Sequence, residues 1–176
     1  TGDALVLCDG EGTDYDVVIR RISKESIETE IVGKRQCITE PPIHITLFQG
    51  IPKADKMDLV IQKCVELGVT KIVPVMTARS VVRFGSARDA SSKAARWNRI
   101  AMEAAKQCDR GVIPVVAEPT TFDMALKLAA ECGLRLFPYE EEKDGSLRDV
   151  LRNHRKTMET GGTKGSVSTD SVAAYS

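Results

Sequence analysis

The feature that most constrains this chain is a change of hydrophobic period near Ile43. Before that point, short apolar runs are separated by turn residues. After it, apolar runs alternate with amphipathic stretches repeating every 3.6 residues. Residues 4–8, 15–21 and 26–32 read as the strands of a meander, with DGEG at 9–12 and SKES at 23–26 as the turns. From residue 44, HITLFQG is a strand ending in glycine. Residues 52–67 carry Met57, Val60, Ile61 and Cys64 on one helical face, with Asp55, Asp58, Gln62, Lys63 and Glu66 opposite and Gly68 as the stop. KIVPVM at 71–76 is a strand whose Pro74 predicts a strand end or a bulge.

The alternation continues. Residues 92–108 form a second amphipathic helix, with Ala94, Trp97, Ala101, Ala104, Ala105 and Cys108 on its apolar face. Lys93, Arg96, Arg99, Glu103, Lys106 and Arg110 fall on the other face. A strand at 113–117 leads to Thr120 and Asp123, which resemble a capping box for a helix over 122–131. A strand at 134–138 and a helix at 146–154 follow. This order predicts an α/β domain, a mainly parallel sheet flanked by helices, with right-handed crossovers.

Three regions result. Residues 1–40 are expected to be a partial β-barrel that starts inside the barrel, its first strands missing from the sequence. Residues 41–155 are the α/β domain. Residues 156–176, rich in Ser, Thr and Gly and without apolar period, are expected to be a disordered tail. Ligands of such sheets bind beyond the carboxyl ends of the strands. That rule selects QGIPK at 49–53, TARSVVR at 77–83 and YEEEKDG at 139–145.

Composition excludes several classes. No apolar run approaches the roughly 20 residues of a membrane helix. The five cysteines are scattered and form no CxxC, which argues against a zinc finger or a disulfide scaffold and for the reducing cytoplasm. No GxGxxG, GxxxxGK[ST] or GxSxG occurs. No metal site is expected.

The net charge of zero is unevenly spread. Residues 1–51 hold 5 basic and 9 acidic side chains, residues 52–110 hold 12 and 6, and residues 111–176 hold 8 and 10. The middle third, at +6, is either a polyanion-binding surface or a solvated helix face. Lys53 and Lys56 flank the first turn of a helix, where they could receive a phosphate or simply be exposed. Arg79 and Arg83 bracket SVV in a loop at the proposed ligand edge and suit bidentate recognition. Glu103, Gln107 and Arg110 follow helical spacing, either as a polar face or as site residues. Trp97 reads as core.

QGIPKADKMDLVIQKCVELGVTKIVPVMTARSVVR and RWNRIAMEAAKQCDRGVIPVV are similar to the two signature blocks of RsmE-type 16S ribosomal RNA 3-methyluridine methyltransferases, of the SPOUT superfamily. TGDALVLCDGEGTDYDVVIRRI resembles the end of that family's N-terminal PUA-like barrel, and Tyr139–Glu140 fits its YE. The resemblance implies a homodimeric cytoplasmic enzyme that moves the methyl group of S-adenosylmethionine to uridine N3 in ribosomal RNA. It marks Lys53, Lys56, Lys63, Glu66, Arg79, Ser80, Arg83, Arg96, Trp97, Glu103, Gln107 and Arg110 as motif positions. Among these, Lys53, Lys56, Arg79, Arg83, Arg96 and Arg110 are expected to contact RNA. Arg79, Glu103 and Gln107 are the candidates at the reacting centre. The family's cofactor strings IGPEGG and LGxRILRxETA do not occur in the sequence, so an incomplete domain without the knot segment is expected. A non-catalytic RNA-binding or assembly protein, and an incomplete product without activity, are the alternatives.

Overall fold

The structure is a computed structural model that describes residues 1–53, 55–78, 84–138 and 146–159. It falls into two compact units, Thr1–Ala125 and Leu126–Ser176.

The first unit opens with β1 (Ala4–Cys8), β2 (Thr13–Ile22) and β3 (Ile27–Gln36), paired antiparallel in the order β1-β2-β3. They make an open three-stranded sheet and not a closed barrel. Register pairs Leu5 with Val17 and Val17 with Ile31, which puts these apolar residues on one face. Val17 is buried there, while Ile22, Ile27 and Ile31 are exposed.

A second sheet holds β4 (Thr46–Gly50), β5 (Lys71–Met76) and β6 (Val115–Val116), parallel and in that order, with β7 (Thr120–Thr121) also pairing parallel to β5. The expected strand at 113–117 is therefore shorter and is followed by a second short one. Pro74 explains the break. Val115 donates to Thr70 and Ala117 to Ile72, so even-numbered residues of β5 face this side. The next two ladder bonds would need N–H groups from Pro74 and Pro119, and neither has one. Pro74 thus sits inside a central strand, opposite a gap in its neighbour, and marks no strand end.

Two helices cover one face of this sheet. Helix α1 (Lys56–Glu66) buries Met57, Ile61 and Val65. Helix α2 (Ala87–Gln107) buries Ala94, Trp97, Ala101, Ala104 and Ala105. With Ile72 and Val116 they form the main core, in which each fully buried large side chain contributes about 1.5–3 kcal/mol. The alternate residues Val73 and Val75 point to the opposite face and meet Ala125 of α3 (Phe122–Ala129). The cap of α3 is Thr121, whose Oγ1 accepts from Met124 N at 3.3 Å, one residue later than the expected Thr120 box.

The second unit contains the end of α3 and α4 (Leu147–Glu159). Residues 134–138 form no strand, because the expected apolar run finds no pairing partner among the described residues. The loop at 139–145 and most of the 156–176 tail lie outside the described residues; residues 156–159 are the end of α4.

Candidate functional site

The carboxyl ends of β4 and β5 lie side by side. Ile51 N donates to Val75 O at 3.0 Å, and a Cβ placed on Gly50 would stand 3.6 Å from Thr77 Cγ2. The loop carrying Lys53 and the loop that leads to Arg79 therefore start together, as the crossover rule requires. Arg79, Ser80 and Arg83 themselves lie outside the described residues.

Helix α1 begins at Lys56, four residues after the expected start. Its first turn has no side-chain cap. Lys53 and Lys56 are exposed here and have no ion-pair partner among the described residues. At a helix start they oppose the dipole, so they contribute nothing to the helix and raise the positive potential of this edge. Asp58 complements the dipole and pairs with Arg96 across to α2. Its second oxygen is buried without a hydrogen bond. Arg96 is thus at the surface, tied between two helices.

Helix α2 begins at Ala87, five residues before the expected start. Ser86 caps it, its side chain accepting from Asp89 N at 3.2 Å. The signal was present as Ser86-x-x-Asp89. It was missed because no residue before Ala94 is buried, so no apolar period begins there.

Glu103 and Gln107 lie on the exposed side of the last turns of α2, with Glu103 held by Lys106 Nζ at 2.8 Å. Lys63 and Glu66 make a similar surface pair at 2.8 Å near the end of α1, and this contact holds the Glu66 carboxyl below its usual range. A rise of about 1.5 Å per residue puts Gln107 roughly 16 Å along the helix from Arg96. One chain therefore does not bring Glu103 and Gln107 together with Lys53 and Lys56. Trp97 is in the core, as expected.

Arg110 corrects the expectation of an RNA contact. Its side chain is only 4% exposed. Nη2 and Nε donate to the two oxygens of Glu40 at 2.6 and 3.3 Å. Nη1 donates to Val69 O at 2.6 Å and Val65 O at 3.3 Å. These carbonyls belong to a Schellman turn at the end of α1, in which Val69 N bonds Cys64 O and Gly68 N bonds Val65 O, with Gly68 at φ +93°. Glu40 also accepts from Val112 N at 3.0 Å. Burial alone raises its pKa, but the Arg110 hydrogen bonds and charge and the Val112 and Gly111 N–H groups outweigh burial and hold it below the usual carboxylate value. The arginine spends its donors on the interior. Sequence spacing could not show this, because Glu40 is 70 positions away.

A cavity of about 270 Å³ opens beside this pair, lined by Thr39, Glu40, Pro41, Glu66, Gly68 and Cys108 among others. It lies at the ends of α1 and α2, on the edge opposite to Lys53. Among the described residues no three His, Cys, Asp or Glu side chains are grouped as metal ligands, and no helix is long and apolar enough to cross a membrane.

Residues 39–173 match the family model described as an RNA methyltransferase domain. The chain belongs to the RsmE-type family of SPOUT ribosomal RNA methyltransferases. It is 31% identical over 147 residues to ribosomal RNA small subunit methyltransferase E of Bacillus subtilis, covering 83% of this chain and 57% of that protein. Against the same enzyme of Buchnera aphidicola it is 39% identical over 99 residues, covering 56% of this chain and 38% of the other. A crystal structure of that enzyme from Neisseria gonorrhoeae, bound to S-adenosyl methionine, superimposes with a TM-score of 0.70 at 31% identity, over 84% of this chain and 60% of that one. A putative methyltransferase from Legionella pneumophila in complex with the same cofactor gives 0.69 at 29% identity. The chain thus spans about three-fifths of these RsmE-type relatives or less.

The cavity beside Arg110 is lined by two carboxylates, Glu40 and Glu66, and its arginine is already spent on Glu40 and on the Val65 and Val69 carbonyls, so it offers no free cation to the carboxylate of the cofactor that these two relatives hold.

Proposed function

We propose that this chain serves S-adenosylmethionine-dependent methylation of uridine N3 in 16S ribosomal RNA, and that its described residues supply the RNA-binding side. The observation that carries this is the match over residues 39–173 to an RNA methyltransferase domain. Lys53 and Lys56, exposed at the carboxyl edge of its parallel sheet and without an ion-pair partner among the described residues, support it. Uridine N3 is on the Watson–Crick edge, so the base must be unpaired to react. A protein serving this reaction has to hold RNA by its backbone while leaving that edge free. Lys53, Lys56 and Arg96 fit that task, and Arg79 and Arg83, which lie outside the described residues, are proposed for it from their place in the sequence after β5. Glu103 and Gln107 are not assigned to it. A homodimer is part of the proposal.

A second reading is an RNA-binding protein without catalysis, in which the exposed Lys53 and Lys56 hold RNA and no methyl group is moved. One experiment separates them. Small ribosomal subunits lacking the modification are incubated with the chain and S-adenosylmethionine carrying a labelled methyl group, and nucleosides are analysed by mass spectrometry. Labelled 3-methyluridine supports the first reading. Binding of RNA without methylation supports the second. Absence of RNA binding overturns both.

A further inference from the structure

We propose that the first two turns of α2 form a cationic prong that grips RNA phosphates through Arg88 and Lys93. The inference rests on the RNA reading and adds residues outside the family-motif positions.

Helices α1 and α2 both leave the carboxyl edge of the parallel sheet and run back along one face of it, so they point the same way. They are tied by Asp58 and Arg96. Asp58 is the third residue of α1, counted from Lys56, and Arg96 is the tenth of α2, counted from Ala87. The difference of seven residues, at about 1.5 Å each, carries the start of α2 roughly 10 Å beyond the start of α1. That overhang is residues 87–93. None of them is buried, and the first core residue of α2 is Ala94.

A helical segment with no buried residue contributes little to the core, and its exposed side chains are free to meet a partner. Its charges say which partner. Lys93 lies one turn before Arg96 on the same row, so it leans over the start of α1, where Lys53 and Lys56 are exposed. Arg88 lies on the outer row with Arg99, eleven residues on, which is close to three whole turns. Arg88, Lys93 and Arg99 are exposed, and no carboxylate pairs with any of them among the described residues. Asp89 is the one acid within the overhang. The prong therefore carries positive charge on two sides and stands on the edge that holds Lys53 and Lys56. Arg88, Lys93 and Arg99, none of them paired with a carboxylate among the described residues, suit a chain of phosphates better than an acidic side chain of a protein, because phosphates repeat along the partner.

The test is the binding of a fluorescein-labelled RNA hairpin with a uridine-rich loop to the full chain, by anisotropy at several salt concentrations. Wild type is compared with Arg88→Ala/Lys93→Ala and with Lys71→Ala, which alters an exposed lysine at the opposite edge of the sheet. The double variant is expected to bind at least tenfold more weakly at low salt, with a log–log salt slope shallower by about 2, one for each lost phosphate contact. Its melting temperature should match wild type, and Lys71→Ala should bind as wild type does. If wild type binds RNA and the double variant binds with the same affinity and slope, the prong is wrong and the RNA reading stands. If wild type does not bind, both are wrong.

Discussion

Arg110 and Glu40, 70 positions apart, form a two-bond ion pair in the interior, and the same guanidinium holds the carbonyls of Val65, in the last turn of α1, and of Val69, just beyond it. Glu40 belongs to the segment between β3 and β4, and Arg110 follows α2. The pair therefore ties the segment leaving the antiparallel sheet to the end of the α/β core. Backbone bonds reinforce the junction: Gly12 N donates to Gly111 O at 2.9 Å and Ile113 N to Gly10 O at 3.0 Å.

Removing one member should unfold the junction. Arg110→Ala leaves a buried carboxylate without its partner, and breaking a pair of this kind costs about 3–5 kcal/mol. Urea denaturation should show that loss in the midpoint. Arg110→Lys should not restore it, since one ammonium cannot span two carboxylate oxygens and two carbonyls. A midpoint equal to wild type in Arg110→Ala would show that the pair is not structural.

The same carboxyl predicts a pH dependence. Its folded-state pKa lies below the ordinary value of 4.5. The unfolded chain thus binds the proton more readily, and the stabilisation is complete above pH 4.5 and lost as pH falls through the folded value. Wild type should exceed Glu40→Gln in stability at pH 7, and the gap should narrow below pH 4.5. A gap that is constant from pH 7 to acid unfolding would contradict the assignment.

Gly111 is fixed by space. A Cβ there would stand 2.5 Å from Cys37 Cβ and overlap its Sγ. Gly111→Ala should destabilise the chain by about 1–3 kcal/mol, as overpacking does. Cys37→Gly in the same chain should recover part of that loss. Thermal melts of the single and double variants decide it, and additive losses would count against the clash.

Lys53 and Lys56 separate binding from stability. Both oppose the dipole of α1, so Lys53→Ala/Lys56→Ala should leave the melting temperature unchanged or slightly raised, by an effect of about 0.5 kcal/mol or less. RNA affinity should fall, with a salt slope shallower by about 2. Equal affinity would remove these lysines from the proposed surface.

The sequence by itself determined the alternation of strands and helices, because burial of one face leaves a period that can be counted. Met57 and Ile61 in α1, and Ala94, Trp97 and Ala101 in α2, took the faces their spacing assigned, while Val65, which that reading left out, is buried beside them. It also determined the edge at which Lys53 lies, since parallel strands with helical crossovers leave one choice. It missed the first five residues of α2, which bury nothing and so carry no period. It read Pro74 as a strand end or a bulge, because the gap between β6 and β7 that accommodates it belongs to another part of the chain. Arg110 shows the limit most directly. Its position on a polar helix end is the same for a surface cation and for an interior one. Only the approach of Glu40 and of the Val65 and Val69 carbonyls at the end of α1, brought together by tertiary packing, turns that charge inward.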